Sequence, residues 1–255
     1  MRFAVLGSGS RGNALVVRCQ QTLVLVDCGF SIRELERRLA RCAIAPADIS
    51  AIVLTHEHND HASGAAAFAR KHGMPLWLTA GTLRVLGAGI DNRIRVQQFS
   101  DHEPFAVGDI ELHPFAVPHD AEEPCQFVFS DGARRLGLLT DVGHITDAVT
   151  RPLQGCDALI LECNHDADML ADGTYPPSLK ARIAGPQGHL DNDAAASLLA
   201  SLDHHRLQHL VAAHLSETNN TPWLARSTLG SVWAGGAERV VVAGQESGLS
   251  WRELV

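Results

Sequence analysis

Thr55-His56-Glu57-His58-Asn59-Asp60-His61 directly follows the apolar run Ile52-Val53-Leu54, and its reading decides the fold. Three imidazoles and a carboxylate at His-x-His-x-Asp-His spacing have no ordinary structural use. Buried, each would demand its own hydrogen-bond partner; exposed, they would have no reason to cluster. A divalent metal answers both problems, because neutral imidazole and carboxylate are the usual ligands of zinc and related ions. The run before the motif reads as a buried strand, so the donors sit on the loop just past a strand end.

The same arrangement recurs down the chain. Val117-Pro118-His119-Asp120 follows a strand expected around Leu112 to Ala116. Leu136-Gly137-Leu138-Leu139 runs into Thr140-Asp141, Ala158 to Leu161 runs into Glu162-Cys163-Asn164-His165, and Leu210 to Ala213 runs into His214. His214 is preferred to His204, His205 and His209, which lie around the end of a helix capped by Asp191 and expected to run through Leu202. Early strands are expected at Phe3 to Leu6, Leu15 to Arg18 and Thr22 to Val26, with others near Leu76, Arg95, Glu111, Phe127 and Val240 to Val242. Ser31 to Ala40 reads as an amphipathic helix, with Ile32, Leu35 and Leu39 inside and Arg33, Arg37, Arg38 and Arg41 on a solvated outer face. His61 to His72 reads as one Ala-rich helix stopped by Gly73 and Pro75. Strand-helix alternation in both halves predicts an α/β protein with two sheets between helices, residues 1–255 forming one domain.

Composition narrows the chemistry. At 255 residues and 45% hydrophobic content the chain can bury a sizeable core. The formal net charge of −8 gives no global basic footprint for nucleic acid, so an anionic substrate must be attracted locally. Cysteines at 19, 28, 42, 125, 156 and 163 form no Cys-x-x-Cys pair, which points to reduced thiols and a cytoplasmic setting. The apolar run in Met1 to Gly7 is too short for a signal peptide, and none approaches the ~20 residues that span a membrane. Trp77 and Trp251 fall in expected strands and read as core. His72, His102 and His113 read as surface or packing histidines.

The motif, then His119, Asp141 and His214 in that order, resembles the metallo-β-lactamase superfamily over nearly the whole chain. The resemblance implies a four-layer αββα sandwich of two mixed β-sheets flanked by helices. Carried over by position, His56, His58 and His119 would hold a first metal, Asp60, His61 and His214 a second, and Asp141 would bridge them. Asp27 would support the motif loop as a hydrogen-bond acceptor, with His144 a further supporting candidate. A donor set of His and Asp without Cys suits zinc or manganese. Two such ions sharing a hydroxide can lower its pKa from 15.7 towards ~7. With Asp60, Asp141 and that hydroxide counted, one net positive charge remains to attract a phosphodiester.

Three further segments narrow the resemblance. They are Gly7-Ser8-Gly9-Ser10-Arg11-Gly12-Asn13, Glu162-Cys163-Asn164-His165-Asp166 and Gly188-His189-Leu190-Asp191-Asn192. With His214-Leu215-Ser216-Glu217-Thr218-Asn219-Asn220 and the stretch from Tyr175-Pro176 to Arg182, they resemble the YycJ-like branch of the superfamily. Asp191 departs from the Ser usual there, but both are good helix caps. The branch implies a DNA-directed 5′ exonuclease using a metal-bound hydroxide, with no separate β-CASP clamp. Asp60 and Asp141 would serve catalysis, and His189 or His165 would position the phosphate or protonate the leaving oxygen. Arg11, Asn13, His189, Lys180 and Arg182 would meet the substrate, which is DNA rather than RNA. Plainer roles stand beside these: a hairpin turn at Gly7 to Asn13, capping or packing for His165 and His189, and a solvated helix face for Lys180 and Arg182. On the same scaffold a glyoxalase II-like thioesterase, a lactonase or a small-molecule phosphodiesterase are the rival readings. A module with purely structural metal is disfavoured by the Cys-free donor set.

Overall fold

The computed structural model describes residues 1–255. Its strands are β1 (Arg2–Gly7), β2 (Ala14–Cys19), β3 (Thr22–Val26), β4 (Ala51–Val53), β5 (Leu76–Leu78), β6 (Val96–Gln98) and β7 (Phe105–Val107). They continue as β8 (Ile110–Ala116), β9 (Cys125–Ser130), β10 (Arg135–Leu139), β11 (Ala158–Glu162), β12 (His209–Ala213), β13 (Val240–Val242) and β14 (Leu249–Glu253). One sheet has the order β14-β1-β2-β3-β4-β5-β6 and the other β13-β12-β11-β10-β9-β8-β7. Both are mixed. β3 to β6 are parallel in the first and β10 to β13 in the second, and the remaining pairs are antiparallel.

The apolar runs are continuous because both faces of each sheet are covered. Along β1, Phe3 and Val5 point between the sheets while Ala4 and Leu6 point outward; along β11, Ala158 and Ile160 point between them while Leu159 and Leu161 point outward. Phe127 and Phe129 of β9 and Val24 and Val26 of β3 fill the shared interior. Outside the first sheet, Leu35 and Leu39 of α1 (Ile32–Arg41) and Phe68 of α3 (Ala65–His72) cover Leu23, Leu25 and Ile52. Outside the second, α5 (Asp147–Leu153), α8 (Asn192–Ser201) and α9 (Pro222–Val232) bring Val149, Leu199 and Leu229 onto Leu159 and Leu210. The result is the four-layer αββα sandwich that the resemblance implied. No helix is long and apolar enough to cross a membrane.

Two local expectations are corrected. The single helix expected over His61 to His72 is two: α2 (Asn59–Ala62) and α3. The break lies at Ser63-Gly64, where a Cβ on Gly64 would stand 2.0 Å from the Phe30 carbonyl oxygen. Arg38 is not on the solvated face of α1 but 2% exposed. Its guanidinium donates to the Leu6 and Gln245 carbonyls and lies over the Phe30 ring. Elsewhere Ser31 caps α1 and Asp191 caps α8, as their sequences indicate. Between β11 and α8 the chain inserts two short helices, α6 (Ala167–Asp172) and α7 (Pro177–Ile183).

Candidate metal centre

Every metal-ligand candidate sits past the C-terminal end of a strand, and those strand ends converge at one edge of the sandwich. His56 to His61 follow β4, His119 follows β8, Asp141 follows β10 and His214 follows β12. Asp27 and Glu162 stand at the ends of β3 and β11. Three of these residues have left-handed backbone: Asp27 (φ 59°), Asp141 (φ 55°) and His214 (φ 55°). Such φ values are uncommon for non-glycine residues and cluster where a fold must turn a side chain into a site.

The donors fall into overlapping groups. The ligand atoms of His56, His58 and His119 lie within 4.8 Å of one another, as do those of Asp60, His61 and His214, and Asp141 joins His56 and His61 in a third group. His58 Nδ1 is 3.3 Å from His119 Nε2, His61 Nε2 is 3.4 Å from Asp60 Oδ2, and Asp141 Oδ2 is 3.2 Å from His61 Nε2.

In each histidine the other ring nitrogen is already held. His61 Nδ1 donates to Asp27 Oδ2 at 2.8 Å, and His119 Nδ1 to the Gly188 carbonyl at 3.1 Å. His58 Nε2 donates to the Asp120 carbonyl at 3.1 Å, and His214 Nδ1 to Glu162 Oε1 at 2.9 Å. Thr55 gives its hydroxyl proton to Asp27, so its oxygen accepts from His56 Nδ1 at 2.9 Å. These bonds fix ring orientation and tautomer, leaving a lone pair aimed inward from each ring. His56 Nε2 and Asp141 Oδ2 are buried without any hydrogen-bond partner. Orphaned acceptors of this kind, among His and Asp donors alone, fit a divalent metal. The cluster has the donor chemistry for a divalent metal.

Glu162 organises one side of the centre and was not singled out in the sequence. Its fully buried carboxylate accepts from His189 Nδ1 and His214 Nδ1, both at 2.9 Å, and from the backbone N–H groups of Asp141, Val142 and Leu190. Ligand-atom distances alone would also group Glu162 and His189 with Asp141 and His214 as a metal site. The five donors already on the carboxylate argue that Glu162 orients ligands and does not bind metal itself. Burial pushes its pKa up, but the paired His189 and His214 outweigh this and hold it near about 2. In the metal-free protein His214 is raised to about 10: burial opposes the charged ring, and Asp141, Asp60 and Glu162 overcome it. His56, surrounded by other rings, is pushed well down, first by burial and then by His61.

The centre opens into a cleft of about 410 Å³ lined by His58, Asp60, Asp141, His189 and His214 and by Tyr175, Leu179, Arg182 and Ile183. Of the expected substrate residues, His189 and Arg182 line it. Glu162 holds His189 Nδ1, which leaves Nε2 as the ring's free nitrogen. Arg182 Nε donates to Asp120 Oδ2 at 2.6 Å. The others are placed elsewhere. Arg11 pairs with Glu217 and Glu246 at 2.8 and 3.2 Å, outside the cleft lining. Asn13 is buried, its amide 3.0 Å from His61 Nε2 and 3.3 Å from Asp60 Oδ2, so it steadies the second donor group. Lys180 Nζ donates to the Ala171 carbonyl, tying α7 to α6. His165 is 3% exposed and off the cleft, its backbone bridged to Asp191 and its carbonyl accepting from Asn192 N. His144 donates to the Pro186 carbonyl, two residues before the Gly188 carbonyl that holds His119.

The model of the β-lactamase superfamily domain matches residues 22–214. The exodeoxyribonuclease YycJ of Bacillus anthracis is 37% identical over 234 residues, 91% of this chain and 89% of that protein. The exodeoxyribonuclease WalJ of Streptococcus pneumoniae is 32% identical over 89% of this chain and 86% of its own length. Among solved structures, the metallo-β-lactamase fold protein YhfI from Bacillus subtilis superposes with a TM-score of 0.76 at 17% identity, covering 99% of both chains, which supports the fold alone. On the matched domain, the strand-end donor cluster and these relatives, the chain belongs to the metallo-β-lactamase superfamily, in its YycJ-like branch.

Proposed function

We propose that this protein is a metal-dependent nuclease that removes nucleotides from a DNA end, its 255 residues working as one domain. The observation that carries this reading is the complete set of seven donors, each ring nitrogen that faces away from the centre already held, in a chain 37% identical to an exodeoxyribonuclease. Two divalent ions, zinc or manganese, would be held by His56, His58 and His119, by Asp60, His61 and His214, and by Asp141 between them. Ions so placed supply Lewis acidity, neutralising phosphoryl charge and making water a stronger nucleophile near neutral pH.

The protein's own groups do the rest. His189 Nε2 is the free donor on the cleft wall, and its pKa is raised because Glu162 and Asp141 overcome the effect of burial. When both of its nitrogens carry protons, the ring hydrogen-bonds a phosphoryl oxygen through Nε2 or passes that proton to the leaving oxygen. Water adds to phosphorus, one P–O ester bond breaks, and the departing oxygen takes a proton. A phosphomonoester and an alcohol result. Arg182, at the cleft lip, meets the phosphate backbone through the guanidinium nitrogens that Asp120 does not use. Six free cysteines, five of them buried, support a reducing, cytoplasmic setting.

The test is digestion of DNA and RNA labelled at the 5′ or the 3′ end by protein loaded with Zn²⁺ or Mn²⁺. Stepwise release of the 5′ label from DNA is expected, and Asp141→Ala should lose more than about 10³-fold in kcat. Protein with both sites filled that cuts neither polymer but hydrolyses a thioester, lactone or small phosphodiester would overturn the nuclease reading.

A further inference from the structure

The lining of the cleft has two chemistries. His58, Asp60, Asp141, His189 and His214 make the donor side polar and charged, while the α6–α7 insertion contributes Tyr175, Leu179 and Ile183. Tyr175 is the only tyrosine in the chain. It lies in the connection between α6 and α7, half-buried, just before the Pro176 that caps α7. Trp77 stacks on Phe105 against the core, whereas Tyr175 has no aromatic neighbour and lines open space.

A nucleotide has the same two-sided character, with an anionic phosphate at one end and a flat, largely apolar base at the other. Both kinds of lining bound one space of about 410 Å³, so a phosphate at the donors leaves the base to the apolar residues of the insertion. We infer that Tyr175, backed by Leu179 and Ile183, is the stacking platform for the base of the nucleotide being removed. It is a specificity-determining contact that reads the presence of a base and not its identity. Stacking on an aromatic ring suits this task because every base offers a π face. The inference rests on the nuclease reading and names the part of the substrate that the insertion recognises.

The test compares two single-stranded DNA oligonucleotides, one natural and one carrying base-free tetrahydrofuran residues at both ends, with metal-loaded wild type, Tyr175→Ala and Tyr175→Phe. On natural DNA, Tyr175→Ala should raise KM about tenfold, equivalent to about 1.4 kcal/mol of lost stacking. On the base-free ends it should match wild type within about twofold, and Tyr175→Phe should match wild type on both, because the ring and not the hydroxyl carries the contact. An equal loss on both oligonucleotides, or no loss on natural DNA, would overturn base stacking while leaving the nuclease reading intact. If metal-loaded wild type cuts neither oligonucleotide, the nuclease reading itself fails, and the inference with it.

Discussion

The two parts of the cleft lining are built on opposite plans. The donor part stands mostly on strand ends, with its rings braced by second partners: His61 by Asp27, His214 and His189 by Glu162, His119 by the Gly188 carbonyl. The other part comes from the insertion between β11 and α8, two helices of six and seven residues joined to each other through Lys180 and Ala171 and to the rest of the protein through Arg182 and Asp120. Reacting groups must be held within fractions of an ångström, so they are placed where the backbone is over-determined. A surface that accepts different bases needs no such precision and can be built from a loosely braced insertion. The contrast predicts that damage on the braced side appears in metal binding and turnover, and damage on the inserted side in substrate affinity.

The largest effect that would sharpen this contrast is at Glu162. Glu162→Gln replaces one acceptor oxygen with an NH₂ that meets N–H donors. Metal affinity should fall about 10- to 100-fold, read by competition with a chelator. The same variant has a pH signature in the metal-free protein. The carboxyl titrates near about 2 in the fold against an ordinary 4.5, so its stabilisation is complete above 4.5 and drains away as pH falls towards 2. Thermal denaturation of Glu162→Gln should therefore be flatter across that acid range than that of wild type.

A smaller effect is expected at Asp27, which holds His61 Nδ1 and both donors of Thr55. Asp27→Asn can turn an amide N–H towards a ring that needs an acceptor. A selective loss of about tenfold in affinity for the metal held by Asp60, His61 and His214 is expected, visible as biphasic metal release. Equal weakening of both metals would mean that the two donor groups are braced as one unit. The smallest effect belongs to the inserted wall. Arg182→Ala removes an exposed ion pair with Asp120, worth about 0–1 kcal/mol, so kcat should stay within about threefold while KM for DNA rises. A collapse of kcat would show that Asp120 needs this arginine to hold His58 and would erase the contrast.

Most of the donor wall was legible in the sequence because a metal site imposes residue types that ordinary packing avoids. Each donor also follows an apolar run whose role as a buried strand is plain. Glu162 was hidden for the opposite reason. A single glutamate at a strand end looks ordinary, and its role arises only when His189, His214 and three backbone N–H groups arrive from distant parts of the chain. Its place at the end of a fully apolar strand, at the head of the Glu162 to Asp166 segment, was the available signal. Arg11 shows the reverse error. A basic residue in a glycine-rich turn invites a phosphate, yet Glu217 and Glu246, more than 200 residues away, meet it first. His165 shares its segment with Glu162, but the bridge to Asp191 turns that stretch of backbone into the interior. The break between α2 and α3 depended on Asn13 N and Cys28 N taking the Asp60 and His61 carbonyls and on the Cys28 carbonyl accepting from Gly64 N, contacts with no local signature.

The left-handed backbone at Asp27, Asp141 and His214 has a consequence for anyone who engineers this protein. Asp and His tolerate that conformation better than most residues, but glycine tolerates it without steric cost. A library screened only for resistance to heat would drift towards glycine at these three positions. The winners would be hardier but poorer, because selection would have traded away the Asp141 carboxylate, the His214 ring and the brace of His61. Any directed-evolution campaign on this scaffold should therefore score metal retention alongside melting temperature from the first round.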